Sequence, residues 1–408
     1  MEQEKEIAVS KSLEMVSENQ IDSDRNPDQI ILKEVKLMTQ NKINVTRSSM
    51  PPLEEYIEEL KPVWESRWLS NRGAACLKLE SQLEEYLQVD HVATFSNGHL
   101  ALETALQACG FPRGSEVITT PYTHVSTTHA IVRSGLIPVF TDIEPVHYTL
   151  DPDRIEEAIT EKTVAILATH VYGFPCDVER IAKIAAKHHL TVIYDSAHGF
   201  GVTYKGTGIA NFGDIAMFST HATKVFHTIE GGLLTWKDTE DERFEVVRRL
   251  QNFGHVAEDD VRYVGTNAKM SEFSAVMGIC NLRHLEENIA LRHAADARYC
   301  ERLMGVPGIH VPRPDEHTKW NHIYFPVIFD GFRLTRDEVK QHLADHGIYA
   351  RKYFYPLTNE ENIYKEQYGT ADIPVARRIA QNVLTLPMFS DLTPEMVDNI
   401  CDIILKED

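Results

Sequence analysis

Apolar residues recur at helical spacing from Leu53 to Trp64, and the stretch Glu80 to Leu87 predicts a second helix. The period then changes. Val92-Ala93-Thr94-Phe95 reads as a strand, followed by a small-residue turn and a helix from about His99 to Cys109. Val117-Ile118-Thr119 is a strand, Ser126 to Ser134 a helix, and Ile137-Pro138-Val139-Phe140 a strand. Arg154 to Ile159 is helical, and Val164 to Ala168 is a buried strand. Val178 to His188 carries Ile181, Ile184 and Ala185 on one helical face. Thr191 to Tyr194 is a strand that ends at Asp195. Such an alternation predicts an α/β fold, a mostly parallel sheet with helices on both faces. Ligands of such sheets bind beyond the carboxyl ends of the strands, so residues there are the ones to search for chemistry.

After about Leu282 the pattern shifts. A long helix (Glu286 to Met304), a strand (His322 to Val327), a helix (Thr335 to His346) and a last helix (Glu395 to Leu405) predict a smaller α+β domain. Thr393 is placed to cap the last helix, with Pro394 in its first turn. The predicted organisation is a polar tail (residues 1–47), a large domain (48–285) and a small C-terminal domain (286–408). The tail has no aromatic residue; Ile30 to Met38 could form a short helix, but disorder is the favoured reading.

Composition narrows the function. Of 408 residues, 43% are hydrophobic and 25% charged, which suits a globular protein with a sizeable core. The net charge of −20 argues against a broad nucleic-acid surface, though not against a local basic pocket for one anion. The six cysteines contain no C-x-x-C pair, so neither a disulfide framework nor a zinc site is expected. No apolar run approaches the roughly 20 residues of a membrane span. The opening Met1-Glu2-Gln3-Glu4-Lys5-Glu6 has no apolar signal core, and a cytoplasmic location is the expectation.

Four segments carry candidate chemistry. Ser96-Asn97-Gly98-His99 joins a strand to a helix start, where free N–H groups bind anions. Asp195-Ser196-Ala197-His198 puts a carboxylate at the end of a buried strand, where it needs a cationic or N–H partner. Lys224 follows in the small polar segment Ser219-Thr220-His221-Ala222-Thr223, ahead of Glu230-Gly231-Gly232; a partly desolvated lysine amine attacks carbonyls. Gly265 to Glu272 is a polar loop that opens a helix. Each has an ordinary reading alone: a βα turn, a helix-capping Asp, a solvated lysine. Together, an acid at a strand end, a lysine 29 positions later and a glycine turn at a helix start are the parts of a pyridoxal phosphate site.

From about residue 50 onward the chain resembles the DegT/DnrJ/EryC1/StrS family of sugar aminotransferases. The resemblance rests on Trp68-Leu69-Ser70-Asn71-Arg72-Gly73, Ser96 to Leu102, Thr120 to Thr127, Asp195 to His198, Ser219 to Gly232, Asn267 to Glu272 and Arg351 to Pro356, in that order. It implies a fold-type I pyridoxal-phosphate-dependent transferase. Lys224 would bond the cofactor and move the proton between substrate and cofactor, and Asp195 would pair with the pyridine nitrogen. His198 would sit near the phenolic oxygen and His124 would stack on the ring. Ser219, Gly98 and His99 would hold the phosphate, with Asn267 reaching the phosphate of a second subunit in a homodimer. His322, Arg351 and Tyr355 are candidates for the sugar-nucleotide pocket. The family usually has Thr at the place of His99 and an aromatic residue at that of His124.

The resemblance further implies transamination, since Lys224 is present where dehydratase-like members have histidine. The cofactor would be pyridoxal 5'-phosphate, with pyridoxamine phosphate as its intermediate form, and glutamate the donor. The segment His221 to Gly232 is most similar to members acting at C4 of a nucleotide-linked 4-keto-6-deoxy sugar, of the kind that make dTDP-4-amino-4,6-dideoxyglucose. A C3-specific enzyme and a catalytically silent pyridoxal-phosphate-binding regulator are the alternatives. No metal, nucleic-acid partner or membrane insertion is expected.

Overall fold

Seven strands make the central sheet: β1 (His91–Phe95), β2 (Glu116–Thr119), β3 (Ile137–Phe140), β4 (Thr163–Thr169), β5 (Thr191–Asp195), β6 (Ile215–Ser219) and β7 (Gly232–Trp236). Their order across the sheet is β1-β7-β6-β5-β4-β2-β3. Strands β2 to β6 pair in parallel, and β7 runs antiparallel between β6 and β1. The computed structural model describes residues 42–236 and 242–406. The predicted tail falls largely on residues 1–41, outside the described residues. From Asn44 onward the chain is one compact unit.

The strands are short and almost wholly buried, as strands covered by helices on both faces must be. Two hydrophobic clusters flank the sheet. One holds Leu79, Leu83, Ile166, Tyr172, Phe200 and Phe226; the other holds Phe95, Leu102, Leu106, Ile193 and Trp236.

The helices of this half are α1 (Leu53–Ser66), α2 (Ala74–Leu87), α3 (Gly98–Ala108), α4 (Val125–Arg133), α5 (Pro152–Ala158), α6 (Val178–His188), α7 (Arg243–Leu250) and α8 (Glu272–Arg283). Helix α2 starts six residues before the predicted Glu80. The reason lies far away in the chain: Glu272 accepts the N–H groups of Gly73 (2.8 Å) and Ala75 (2.7 Å), and so caps a helix whose own N-cap has no side chain.

Beyond α9 (Leu285–Leu303), strands β8 (Ile309–His310), β9 (Phe325–Phe329) and β10 (Val383–Leu386) form an antiparallel sheet in the order β8-β9-β10. Helices α10 (Arg336–Asp345), α11 (Pro374–Asn382) and α12 (Pro394–Leu405) accompany it. Thr393 caps α12 as predicted. The predicted strand at His322 begins only at Phe325, because His322 takes a left-handed backbone (φ 50°) that ends regular pairing there. Asp142, just after β3, accepts the N–H groups of Val375 and Ala376, both at 2.8 Å, and ties α11 to the large sheet. Among the described residues, no helix is long and apolar enough to cross a membrane.

Candidate active site

The carboxyl ends of β1, β2, β4, β5 and β6 and the amino end of antiparallel β7 meet at one edge of the sheet, and a cavity of about 470 Å³ opens there. Asn97, Gly98 and His99 line it from the start of α3. Asn97 caps that helix by accepting the Leu100 N–H at 2.8 Å. Gly98 and Gly232 are both required by close approach. A Cβ on Gly232 would lie 2.5 Å from the Gly98 nitrogen, and one on Gly98 would lie 3.1 Å from Ser219 Cβ. Bare backbone therefore brings the amino end of α3 against Ser219.

Asp195 is 4% exposed at the end of β5. Its Oδ1 accepts the Ala197 N–H at 3.1 Å and its Oδ2 accepts the Thr127 hydroxyl at 2.7 Å. Lys224 lines the same cavity, with Nζ 5.8 Å from the centre of the Tyr324 ring. Burial lowers its pKa to about 8, and the Asp195 charge opposes that shift.

His198 is buried, and its Nδ1 accepts the Tyr172 backbone N–H at 3.0 Å. Tyr324 meets the imidazole edge-on at 5.0 Å, and Phe354 lies parallel to it at 5.9 Å. Burial, with the Lys224 charge adding to it, holds His198 well below the ordinary imidazole range.

His124 lines the cavity as the N-cap of α4, its Nδ1 accepting the Ser126 N–H at 3.2 Å. Loss of water around its ring and the Lys224 charge lower its pKa. His99 Nδ1 is 2.8 Å from Ser126 Oγ, and its Nε2 is 3.6 Å from Glu103. Burial lowers the His99 pKa, against the pull of Glu103.

The cavity thus gathers Gly98, His99, His124, Asp195, His198, Ser219 and Lys224 from sequence-distant segments. Asn267 does not line it; its side chain accepts Lys269 Nζ at 2.7 Å. His322, Arg351 and Tyr355 also lie elsewhere. The left-handed turn at His322 sets its Nδ1 3.4 Å from Asp296, which Arg313 grips with two hydrogen bonds. Arg351 is exposed and pairs with Thr385 through its backbone. Tyr355 is exposed beside Arg336 and Lys352.

Their neighbours Tyr324, Tyr353 and Phe354 line the cavity instead, as do Thr123 and Thr169. The aromatic run at 353–355 carried a signal in the sequence, but which face each ring takes is set by packing. Tyr172 donates its hydroxyl to the Tyr353 carbonyl, and the Tyr122 hydroxyl, 2.5 Å from that of Tyr172, donates to it and steadies the run. No group of three His, Cys, Asp or Glu side chains able to hold a metal occurs among the described residues.

Fold and site define an α/β enzyme with a lysine amine of lowered pKa and a buried carboxylate in one cavity at strand ends. The chain belongs to the DegT/DnrJ/EryC1/StrS aminotransferase family, whose model matches residues 53–405. It is 42% identical over 363 residues to a dTDP-4-amino-4,6-dideoxy-D-glucose transaminase of Shigella dysenteriae, covering 89% of this chain and 98% of that one. The crystal structure of DesI in the presence of its TDP-sugar product matches with a TM-score of 0.85 at 32% identity, covering 89% of this chain and 92% of DesI. The PLP form of Streptococcus pneumoniae Spr1654 matches with a TM-score of 0.83 at 27% identity, covering 89% and 97%, and its PMP form matches similarly.

Proposed function

We propose that this protein uses pyridoxal 5'-phosphate to transfer an amino group from an amino acid, glutamate by preference, to C4 of a nucleotide-linked 4-keto-6-deoxy sugar. The dTDP-4-keto-6-deoxyglucose sugar is the favoured acceptor, and the product is a deoxyamino sugar. The observation that carries this reading is the shared cavity of Lys224 and Asp195, one an amine of lowered pKa and the other a buried carboxylate.

The cavity's donor set suits that cofactor: an amine for an aldehyde, a carboxylate for a ring nitrogen, and a helix start beside Ser219 for a phosphate. When bound, pyridoxal phosphate supplies an aldehyde that bonds amines and a ring that takes up the electrons left when a substrate carbon loses its proton. The chain's own residues do the rest. With its pKa near 8, roughly a tenth of Lys224 is neutral at pH 7, against about one in three thousand for an ordinary lysine. The neutral Nζ would be the nucleophile toward that aldehyde; displaced by the donor's amine, it would again be free to take the proton from the substrate carbon and return it. Asp195 accepts a hydrogen bond from the ring nitrogen and keeps it protonated. His198, whose Nδ1 is occupied as an acceptor, presents Nε2–H as a donor. Ser219 and the N–H groups at Gly98 and His99 orient the phosphate.

The active unit is a homodimer on this reading. Trp64, Trp68, Leu69, Phe253 and Val264 are large apolar side chains left exposed in the single chain, which a second copy would cover. Asn267 lies close to Phe253 through Lys269 and is available to the second copy's cavity.

The test is a visible spectrum of the purified protein with pyridoxal phosphate, taken after glutamate and again after dTDP-4-keto-6-deoxyglucose. Loss of the band with glutamate and its return with the sugar supports the reading. Bleaching without return rejects this acceptor and directs the search to C3-keto sugars. Absence of any band rejects the enzyme reading in favour of a silent relative.

A further inference from the structure

Asp195 stands at the end of a chain of hydroxyl groups. Thr169 Oγ1 donates to Thr123 Oγ1 at 3.1 Å, Thr123 Oγ1 is 3.0 Å from Thr127 Oγ1, and Thr127 Oγ1 donates to Asp195 Oδ2 at 2.7 Å. All three threonines are nearly inaccessible, at 3%, 2% and 0% exposure. Two separate pieces of the fold supply them. Thr169 ends β4, in register beside Asp195 at the end of β5; Thr123 precedes α4; Thr127 lies in its first turn.

The middle contact has two formal directions, but only one is consistent with an ionised Asp195. A carboxylate only accepts, so Thr127 spends its single proton on Oδ2. Thr127 must then accept from Thr123, and Thr123 accepts from Thr169. The three O–H dipoles run head to tail toward the carboxylate. Among side chains this inaccessible such a chain is cooperative, each bond polarising the next and fixing its direction. With Oδ1 held by the Ala197 N–H, both oxygens are fixed in direction.

We propose that Thr127, backed by Thr123 and Thr169, is a positioning residue that holds the Asp195 carboxylate in place and aims it at the cofactor's ring nitrogen. Thr127 does not line the cavity and acts only through Asp195. The inference rests on the pyridoxal phosphate reading above and adds to it the group that orients the counter-charge. Valine at 127 keeps the shape and removes the donor; serine keeps the donor.

The experiment compares wild type, Thr127→Val, Thr127→Ser and Thr169→Val. Cofactor affinity is read by equilibrium dialysis, and the pH midpoint of the visible band by titration. A hydrogen bond to a buried charge predicts roughly tenfold weaker cofactor binding in Thr127→Val. The midpoint should rise, because a less positive ring lowers the pKa of the Lys224 nitrogen less. Thr127→Ser should return both readouts to within about twofold of wild type. Thr169→Val leaves the Thr127–Asp195 bond in place and should move both in the same direction by about two- to threefold; it carries the test if Thr127→Val does not fold. A Thr127→Val protein with a lower melting temperature but an unchanged midpoint and affinity overturns the proposal, as does an unchanged Thr169→Val where Thr127→Val cannot be made. If wild type itself takes up no pyridoxal phosphate, the functional reading falls and the proposal with it.

Discussion

The backbone N–H of Tyr172 points at Nδ1 of His198, 3.0 Å away, inside the wall of the cavity. Tyr172 can do this because it takes a left-handed conformation (φ 57°) in a single turn after β4. The contact occupies Nδ1 as an acceptor, so a neutral His198 carries its proton on Nε2. Nitrogen-15 spectra should therefore report the Nε2–H tautomer of His198, unchanged from pH 6 to pH 8, since burial and Lys224 hold its pKa well below that window. Replacing His198 by Gln retains a donor and should lower turnover severalfold; replacing it by Leu should lower it by about a hundredfold or more.

On the proposed function Lys224 carries the reaction. Lys224→Ala should lose turnover by at least about ten-thousandfold and lose the visible band on adding pyridoxal phosphate. In the wild-type protein the rate of band formation should rise with pH and level off above about 8, where the amine becomes neutral. A rate still climbing at pH 10 would mean an ordinary, solvated lysine.

Gly232→Ala puts a methyl group 2.5 Å from the Gly98 nitrogen, which only a backbone shift relieves. The variant should lose about 2–4 kcal/mol of stability, measured by denaturant unfolding. Inorganic phosphate should also protect it less than wild type against unfolding, because the start of α3 has been displaced.

Buried Glu80 accepts two hydrogen bonds from Arg248 (2.7 and 3.0 Å), one from Arg72 (2.7 Å) and two from Thr94 (2.9 and 3.1 Å). Burial alone would raise its pKa, but Arg248 and then Arg72 overcome this and hold it below the ordinary value of 4.5. Glu80→Gln should cost about 3–5 kcal/mol at pH 7, because it leaves two guanidinium groups without their counter-charge. A carboxyl group with a depressed folded pKa stabilises the fold above its unfolded pKa and loses that contribution as pH falls through the folded one. The gap between variant and wild type should therefore narrow below about pH 4.5, as denaturation curves at pH 7 and pH 4 will report.

His99 is a neutral neighbour for a phosphate at pH 7.5, since burial sets its pKa below the ordinary imidazole value. His99→Thr should then change cofactor affinity by less than about threefold at pH 7.5. Below pH 6 the wild type should bind more tightly than the variant, because only it gains a positive charge. Equal affinities across that range would place His99 outside the phosphate site.

The legible part of this protein is local. The strands ending at Phe95, Thr119, Thr169 and Asp195 show in short apolar runs with turn residues after them, and the rule for parallel sheets directs attention to Gly98, Asp195 and His198, whereas His124 enters only through the family resemblance. Lys224 stands out by its place in a small polar segment after β6. Strand β6, antiparallel β7 and helix α7 escaped the pattern reading, as did α11 and β10. In β7 all five residues are buried, so no alternation marks it, and α7 is too charged to look like a core helix.

The sequence by itself therefore determined five of the sheet's seven strands, their ends, and Lys224 and Asp195 as candidates, because each depends on residue types within a few positions of it. The tertiary structure alone decided what requires contact between distant segments. Glu272 starts α2 from 197 residues away. Tyr324, Tyr353 and Phe354 form the far wall, while His322 turns instead to Asp296. Three threonines from β4 and α4 line up behind one carboxylate. Hydrogen bonds and close contacts act over about 3 Å, and which side chains come that near is a property of the folded chain, not of spacing along it.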